Sequence, residues 1–84
     1  MKELKLNDKY LRQLMEVIKV DDSIIEKKSI NVNIIKGDDE FFENMLDNLS
    51  NYLLQYGLDE NDESNSIGIK IEQLIDKVSE VYYS

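Results

Sequence analysis

The chain contains no cysteine, no histidine and no proline, and only three glycines in 84 residues. Without cysteine there is no disulfide framework, no thiolate metal site and no thiol nucleophile. Without histidine the commonest general base and the commonest zinc ligand are both missing. The scarcity of glycine leaves no phosphate-binding loop, and the absence of proline leaves every helical pattern uninterrupted. No apolar run approaches the roughly 20 residues of a membrane span. The opening Met1-Lys2-Glu3-Leu4-Lys5-Leu6 lacks the apolar stretch of a signal peptide, so a cytoplasmic location is expected. No paired carboxylates stand at an interpretable spacing from a basic or nucleophilic group. The expectation is therefore a protein that is not an enzyme and needs no cofactor.

What remains is one small domain, 42% apolar, with a thin core. The net charge is −8 and the pI about 4.4. A surface this acidic disfavours direct contact with nucleic acid or an anionic membrane and suits a basic protein partner.

Three amphipathic segments carry helix signals, at about residues 7–20, 38–56 and 65–82. In the first, Leu11, Leu14, Met15 and Ile18 share a stripe, Asn7 is an N-cap, and Leu6 can staple against Leu11. In the second, Asp38 caps, Asp39 and Glu40 suit the positive end of the dipole, and Phe42, Met45, Leu46, Leu49, Leu53 and Tyr56 form the stripe. Gly57 is the expected left-handed stop, with Leu58 closing a Schellman motif. In the third, Ser64 to Ser66 supply caps for a stripe of Ile67, Ile71, Leu74, Ile75, Val78 and Tyr82. Residues 29–35 alternate as a strand would, and Lys2 to Leu6 alternates too. The expected fold is mainly α: a three-helix domain with one extended segment near 29–35. The alternative is α+β with a short two-stranded ribbon.

The charge is segregated along the chain. Residues 1–36 hold eight basic and six acidic side chains, net +2; residues 37–84 hold two and twelve, net −10. Asp39, Glu43 and Asp47 follow one another at i,i+4 in the second helix, as do Glu72, Asp76 and Glu80 in the third. A stabilising pattern would alternate acid with lysine; these four like-charge pairs each cost about 0.2–0.5 kcal/mol before screening. One reading is a solvated face; the other is a patch matched to a basic partner. At about 100° per residue, Leu54 falls on the side of Asp39, Glu43 and Asp47, and Ile69 on the side of Glu72 and Asp76. Either the loop of residues 57–66 covers these two, or they are apolar anchors among carboxylates, the composition of an interface hot spot. Tyr52, Tyr56, Tyr82 and Tyr83 are further candidates. The intervening loop adds Asp59, Glu60, Asp62 and Glu63 to the candidate partner-binding set. It is not a calcium loop: counted from Asp59, the EF-hand glycine position is Ser64 and the twelfth position is Lys70.

The C-terminal third has a recognisable order: a helix ending Leu-Leu-Gln-Tyr-Gly, an acidic turn of residues 58–63, then Gly68-Ile69-Lys70-Ile71-Glu72-Gln73-Leu74-Ile75-Asp76. It resembles small bacterial toxin-immunity proteins of the MafI type and, more loosely, colicin D-type immunity proteins, with Gly68, Ile69, Glu72, Leu74 and Asp76 at the matching positions. The resemblance implies a cytosolic antidote that plugs a toxin domain, often a nuclease with a basic cleft. Expected function is thus an acidic protein-binding inhibitor. Alternatives are a phage or mobile-element inhibitor that mimics nucleic acid, and a structural homodimer or complex subunit joined through Leu54 and Ile69.

Overall fold

The computed structural model describes residues 1–61 and 63–84. Strand β1 (Lys2–Leu6) leads into helix α1 (Asp8–Val17); a single 3-10 turn (Asp22–Ile24) precedes β2 (Ile25–Ser29), β3 (Val32–Gly37), α2 (Asp39–Tyr56) and α3 (Ser66–Tyr82). The fold is α+β, built on a three-stranded antiparallel sheet in the order β1-β3-β2. Because β3 is antiparallel to both neighbours, β1 and β2 run parallel. Helix α1 makes the crossover between them, and β3 fills the gap.

The expectation of a mainly α domain with one extended segment at 29–35 is therefore corrected, and so is the two-stranded alternative. Residues 29–35 are not one strand. They run from the end of β2 through a two-residue turn, Ile30-Asn31, into β3. Asn31 has φ 62, a left-handed conformation that asparagine tolerates better than most residues. The alternation of Ile30, Val32 and Ile34 bridged the turn by coincidence, since Ile30 is 92% exposed at its tip. Strand β2 carries no alternation signal, because Ile25 is its only large apolar residue. It is an edge strand, where charged side chains are the rule.

The pairing register sorts the side chains by face. Leu4 lies opposite Ile35, Leu6 opposite Asn33, and Ile25 opposite Ile35. These face the helices. One core cluster joins Leu4, Leu6 and Ile35 of the sheet to Leu14 of α1, Phe42, Met45 and Leu49 of α2, and Ile71, Leu74 and Val78 of α3. All three helices thus cover the same side of the sheet. Each such side chain stabilises the fold by about 1.5–3 kcal/mol on burial. On the other side, Lys36 pairs with Glu3 of β1 and Glu26 of β2, both at 3.6 Å. Ile34, set between Lys5 and Glu26 in register, is 8% exposed yet lies outside the main cluster.

Two boundaries differ from expectation. Helix α1 stops at Val17 instead of Val20: Ile18 is extended, and the departing chain carries Val20 into the core. Gly57 is right-handed, with φ −96 and ψ −2, so it does not end α2 by a left-handed turn. Its lack of a side chain serves close packing instead. A Cβ on Gly68 would lie 2.0 Å from the Gly57 carbonyl oxygen, and one on Gly57 would lie 2.9 Å from the Gly68 Cα. The two glycines let the end of α2 touch the start of α3.

Candidate functional site

The α2–α3 hairpin carries most of the acidity, and its closing residues fix how the two helices face each other. Asn65 does three things at this junction. Its Oδ1 accepts from the Gly68 amide (2.8 Å) and caps α3; its Nδ2 donates to the Tyr56 carbonyl (3.0 Å); its backbone amide donates to the Gly57 carbonyl (2.9 Å). One free amide at the start of α3 and two carbonyls at the end of α2 are thereby satisfied together. In the loop, the Asp59 carboxylate accepts from the amides of Asn61 (2.8 Å) and Glu63 (3.0 Å), so it shapes the loop it belongs to. Glu60 and Glu63 are exposed; Asp62 lies outside the described residues.

The helical period places the candidate carboxylates. On α2, the buried Phe42, Met45 and Leu49 define the inner side, and Glu43, Asp47 and Leu54 point away from it. On α3, Ile71, Leu74 and Val78 define the inner side, and Ile69, Glu72, Asp76 and Glu80 point away. A groove of about 350 Å³ runs between the helices on this outward side, lined by Glu43, Leu46, Asp47 and Ser50 of α2 and Ile75, Ser79, Tyr82 and Tyr83 at the end of α3. The Tyr82 and Tyr83 rings meet edge to face, 4.8 Å between centroids. Asp39, one turn before Glu43, pairs with Lys2 at 3.0 Å. The Tyr82 hydroxyl titrates above its usual value, chiefly because of the Glu43 charge and then burial, with Tyr83 and Asp39 adding and Lys2 opposing.

Neutralisation differs between the two sides of the molecule. Among the described residues, Asp39 is the one member of the two i,i+4 series with a cation within ion-pair reach; Glu43, Asp47, Glu72, Asp76 and Glu80 have none. Glu72 instead accepts from the Ser64 hydroxyl. Of the hairpin's two lysines, Lys77 is turned toward α1, its Nζ 4.6 Å from the centre of the Tyr10 ring. Lys70 lies with Gln13 and Glu16 of α1 around another small cavity. The open sheet face, by contrast, has its acids paired with lysines.

Glu43 and Asp47 are thus brought together in one groove, with Asp39 at its end and Glu72 and Asp76 on the adjoining outward side. Leu54 and Ile69 share that side and, among the described residues, the loop at 57–61 and 63–66 leaves them exposed. They are 68% and 51% exposed. Periodicity had suggested neither the groove floor of Leu46 and Ile75 nor the part of Lys2. Leu46 and Ile75 read as ordinary stripe residues, and Lys2 reaches the site only because β1 docks beside α3.

A second concavity, about 440 Å³, lies between α1 and β2 and is lined by Asp8, Leu11, Arg12, Met15, Glu16, Lys27 and Asn33. Three of its polar residues, Asp8, Lys27 and Asn33, serve the fold. Asn33, 2% exposed, donates from Nδ2 to the Leu6 carbonyl (3.2 Å) and to Asp8 Oδ1 (2.7 Å); Lys27 reaches the same oxygen at 3.2 Å. The Asn33 and Lys27 hydrogen bonds, in that order, hold the Asp8 carboxyl below the usual carboxylate range.

Among the described residues, no three acidic side chains converge closely enough to hold a metal ion, and no helix is long and apolar enough to cross a membrane. The chain matches no family model, no curated protein and no solved structure.

Proposed function

We propose that this protein is an acidic, protein-binding inhibitor of the cytoplasm: an immunity protein that neutralises a bacterial toxin by covering its basic active site. One observation carries the reading. Glu43, Asp47, Glu72, Asp76 and Glu80 lie on one side of one helical hairpin, and among the described residues none has a cation within ion-pair reach. Side chains that repel one another within a thin core's stability margin are explained if a cationic partner compensates them. The resemblance of the C-terminal third to immunity proteins gives the partner class: a toxin domain, a nuclease among the candidates. Steering falls to Asp39, Glu43, Asp47, Asp59, Glu60, Asp62 and Glu63, and Leu54 and Ile69 act as apolar anchors.

The test is affinity capture from the native host followed by kinetics on the captured protein. Charge reversal by Glu43→Lys and Asp47→Lys should slow association and flatten its dependence on salt. Unchanged kinetics would remove the reading. Competition with DNA for the captured protein tells whether a nucleic-acid groove is the part covered. The exposure of Leu54 and Ile69 favours one second reading, a homodimer sealed through them. A monomer in dilute sedimentation would eliminate it.

A further inference from the structure

We infer that the groove between α2 and α3 is an arginine-binding site, occupied by a single guanidinium presented on a basic segment of the partner. This deepens the inhibitor reading and rests on it for the identity of the partner. The groove combines two features that a general acidic surface does not. Its floor is apolar, from Leu46 and Ile75, and its end wall is the Tyr82–Tyr83 pair. Its rim on the α2 side bears Glu43 and Asp47, one helical turn apart, each without a cation within ion-pair reach among the described residues.

Lysine and arginine differ in how they use such a place. An ammonium is a compact, strongly hydrated charge that loses much of its hydration on entering an apolar groove. A guanidinium is planar and weakly hydrated. It lies flat on a tyrosine ring while its in-plane N–H groups donate to carboxylates at the edge. A groove with an aromatic wall and a carboxylate rim therefore selects arginine over lysine, whereas a solvated acidic face takes either. The internal cation at this end, Lys2, is engaged by Asp39 and the Tyr82 carbonyl, and its Nζ stands 5.5 Å from the centre of the Tyr82 ring, which leaves Tyr83 as the ring for an incoming side chain. Tyr83 is 78% exposed, so its ring is open to an incoming side chain.

The experiment uses the full chain and two blocked tripeptides, Gly-Arg-Gly and Gly-Lys-Gly, titrated while amide resonances are followed by NMR. The arginine peptide should shift resonances of residues 43–50 and 75–83 and bind roughly two- to fivefold more tightly than the lysine peptide, the range a guanidinium–ring contact supplies at an exposed site. Tyr83→Leu, which keeps apolar bulk at an exposed position, should abolish that preference while leaving the fold intact. Glu43→Gln should weaken both peptides alike. Equal affinity for the two peptides, shifts scattered over residues 59–63 and the sheet, or a preference that survives Tyr83→Leu would each overturn the inference. The two ideas fail separately. Arginine selectivity in the absence of any captured basic protein leaves the groove assignment standing and removes the inhibitor reading. A captured basic partner whose association ignores Tyr83→Leu does the reverse.

Discussion

At the scale of single residues, two polar side chains hold more of the architecture than their size suggests. Asn65 ties the end of α2 to the start of α3 with both halves of its amide. Asn65→Ala removes an N-cap, about 1 kcal/mol, and the hydrogen bond to Tyr56, about another 1 kcal/mol; urea denaturation should show a loss of about 2 kcal/mol. Asn65→Asp keeps the acceptor that caps α3 but has no donor for the Tyr56 carbonyl, so its loss should be about half as large. Equal losses in the two variants would mean that the Tyr56 contact contributes nothing. Asp8 offers a test by pH. Its folded carboxyl titrates below the ordinary value of 3.8 because Asn33 and Lys27 hydrogen-bond the anion. A depressed folded value means that the stabilisation is present above 3.8 and is lost as pH falls through the folded value. Wild type should therefore melt above Asp8→Asn at pH 7, with the gap closing as thermal scans move below the carboxylate range. A gap that persists unchanged at pH 3 would show that the charge is not what stabilises the network.

At the scale of elements, the helices and the pairing of Lys2–Leu6 with the later extended segment were legible and the third strand, β2, was not, for a reason visible in particular residues. Helices α2 and α3 each bury one stripe and have asparagine or aspartate caps, Asp38 and Asn65, whose side chains accept from the third amide along. Local sequence states both facts. Strand β2 states almost nothing: Ile25-Glu26-Lys27-Lys28-Ser29 has no alternation, and its place is set by pairing with β3 and by a turn that needs φ 62 at Asn31. The candidate carboxylates and the exposed Leu54 and Ile69 could be assigned to a helix face from spacing alone. The groove between the helices could not, because it depends on the angle at which α3 returns across α2. That angle rests on Gly57 and Gly68. In an isolated helix Gly68→Ala would gain about 1 kcal/mol. Here the new Cβ would stand 2.0 Å from the Gly57 carbonyl oxygen, and forced separation of packed backbone costs about 1–3 kcal/mol. Gly68→Ala should thus destabilise the fold in chemical denaturation and perturb the groove resonances, against its helix propensity. A stabilised variant would show that the helices do not cross here so closely.

At the scale of the whole molecule, charge divides the surface in two. The open sheet face carries alternating acids and lysines in contact, Glu3–Lys36–Glu26–Lys28. The outward side of the hairpin carries acids at i,i+4, and among the described residues Asp39 alone of them has a cation within ion-pair reach. The first arrangement is what selection for stability and solubility produces. The second opposes stability by about 0.6–1.5 kcal/mol summed over the three like-charge pairs that lack a cation, Glu43–Asp47, Glu72–Asp76 and Asp76–Glu80, at low salt. That difference makes a prediction with opposite signs in two assays. Replacing Glu43, Asp47 and Asp76 by Gln, Asn and Asn removes members of the repelling pairs, so the triple variant should be more stable than wild type in denaturant. The gain should shrink at 1 M salt, where the Debye length falls to about 3 Å. The same variant should associate more slowly with a basic partner and with less sensitivity to salt. A surface shaped only for solubility would show the stability gain without the kinetic loss. A surface whose carboxylates are already neutralised within the fold would show neither. Stability gained and association lost in one variant is the signature of a face kept for something outside the chain.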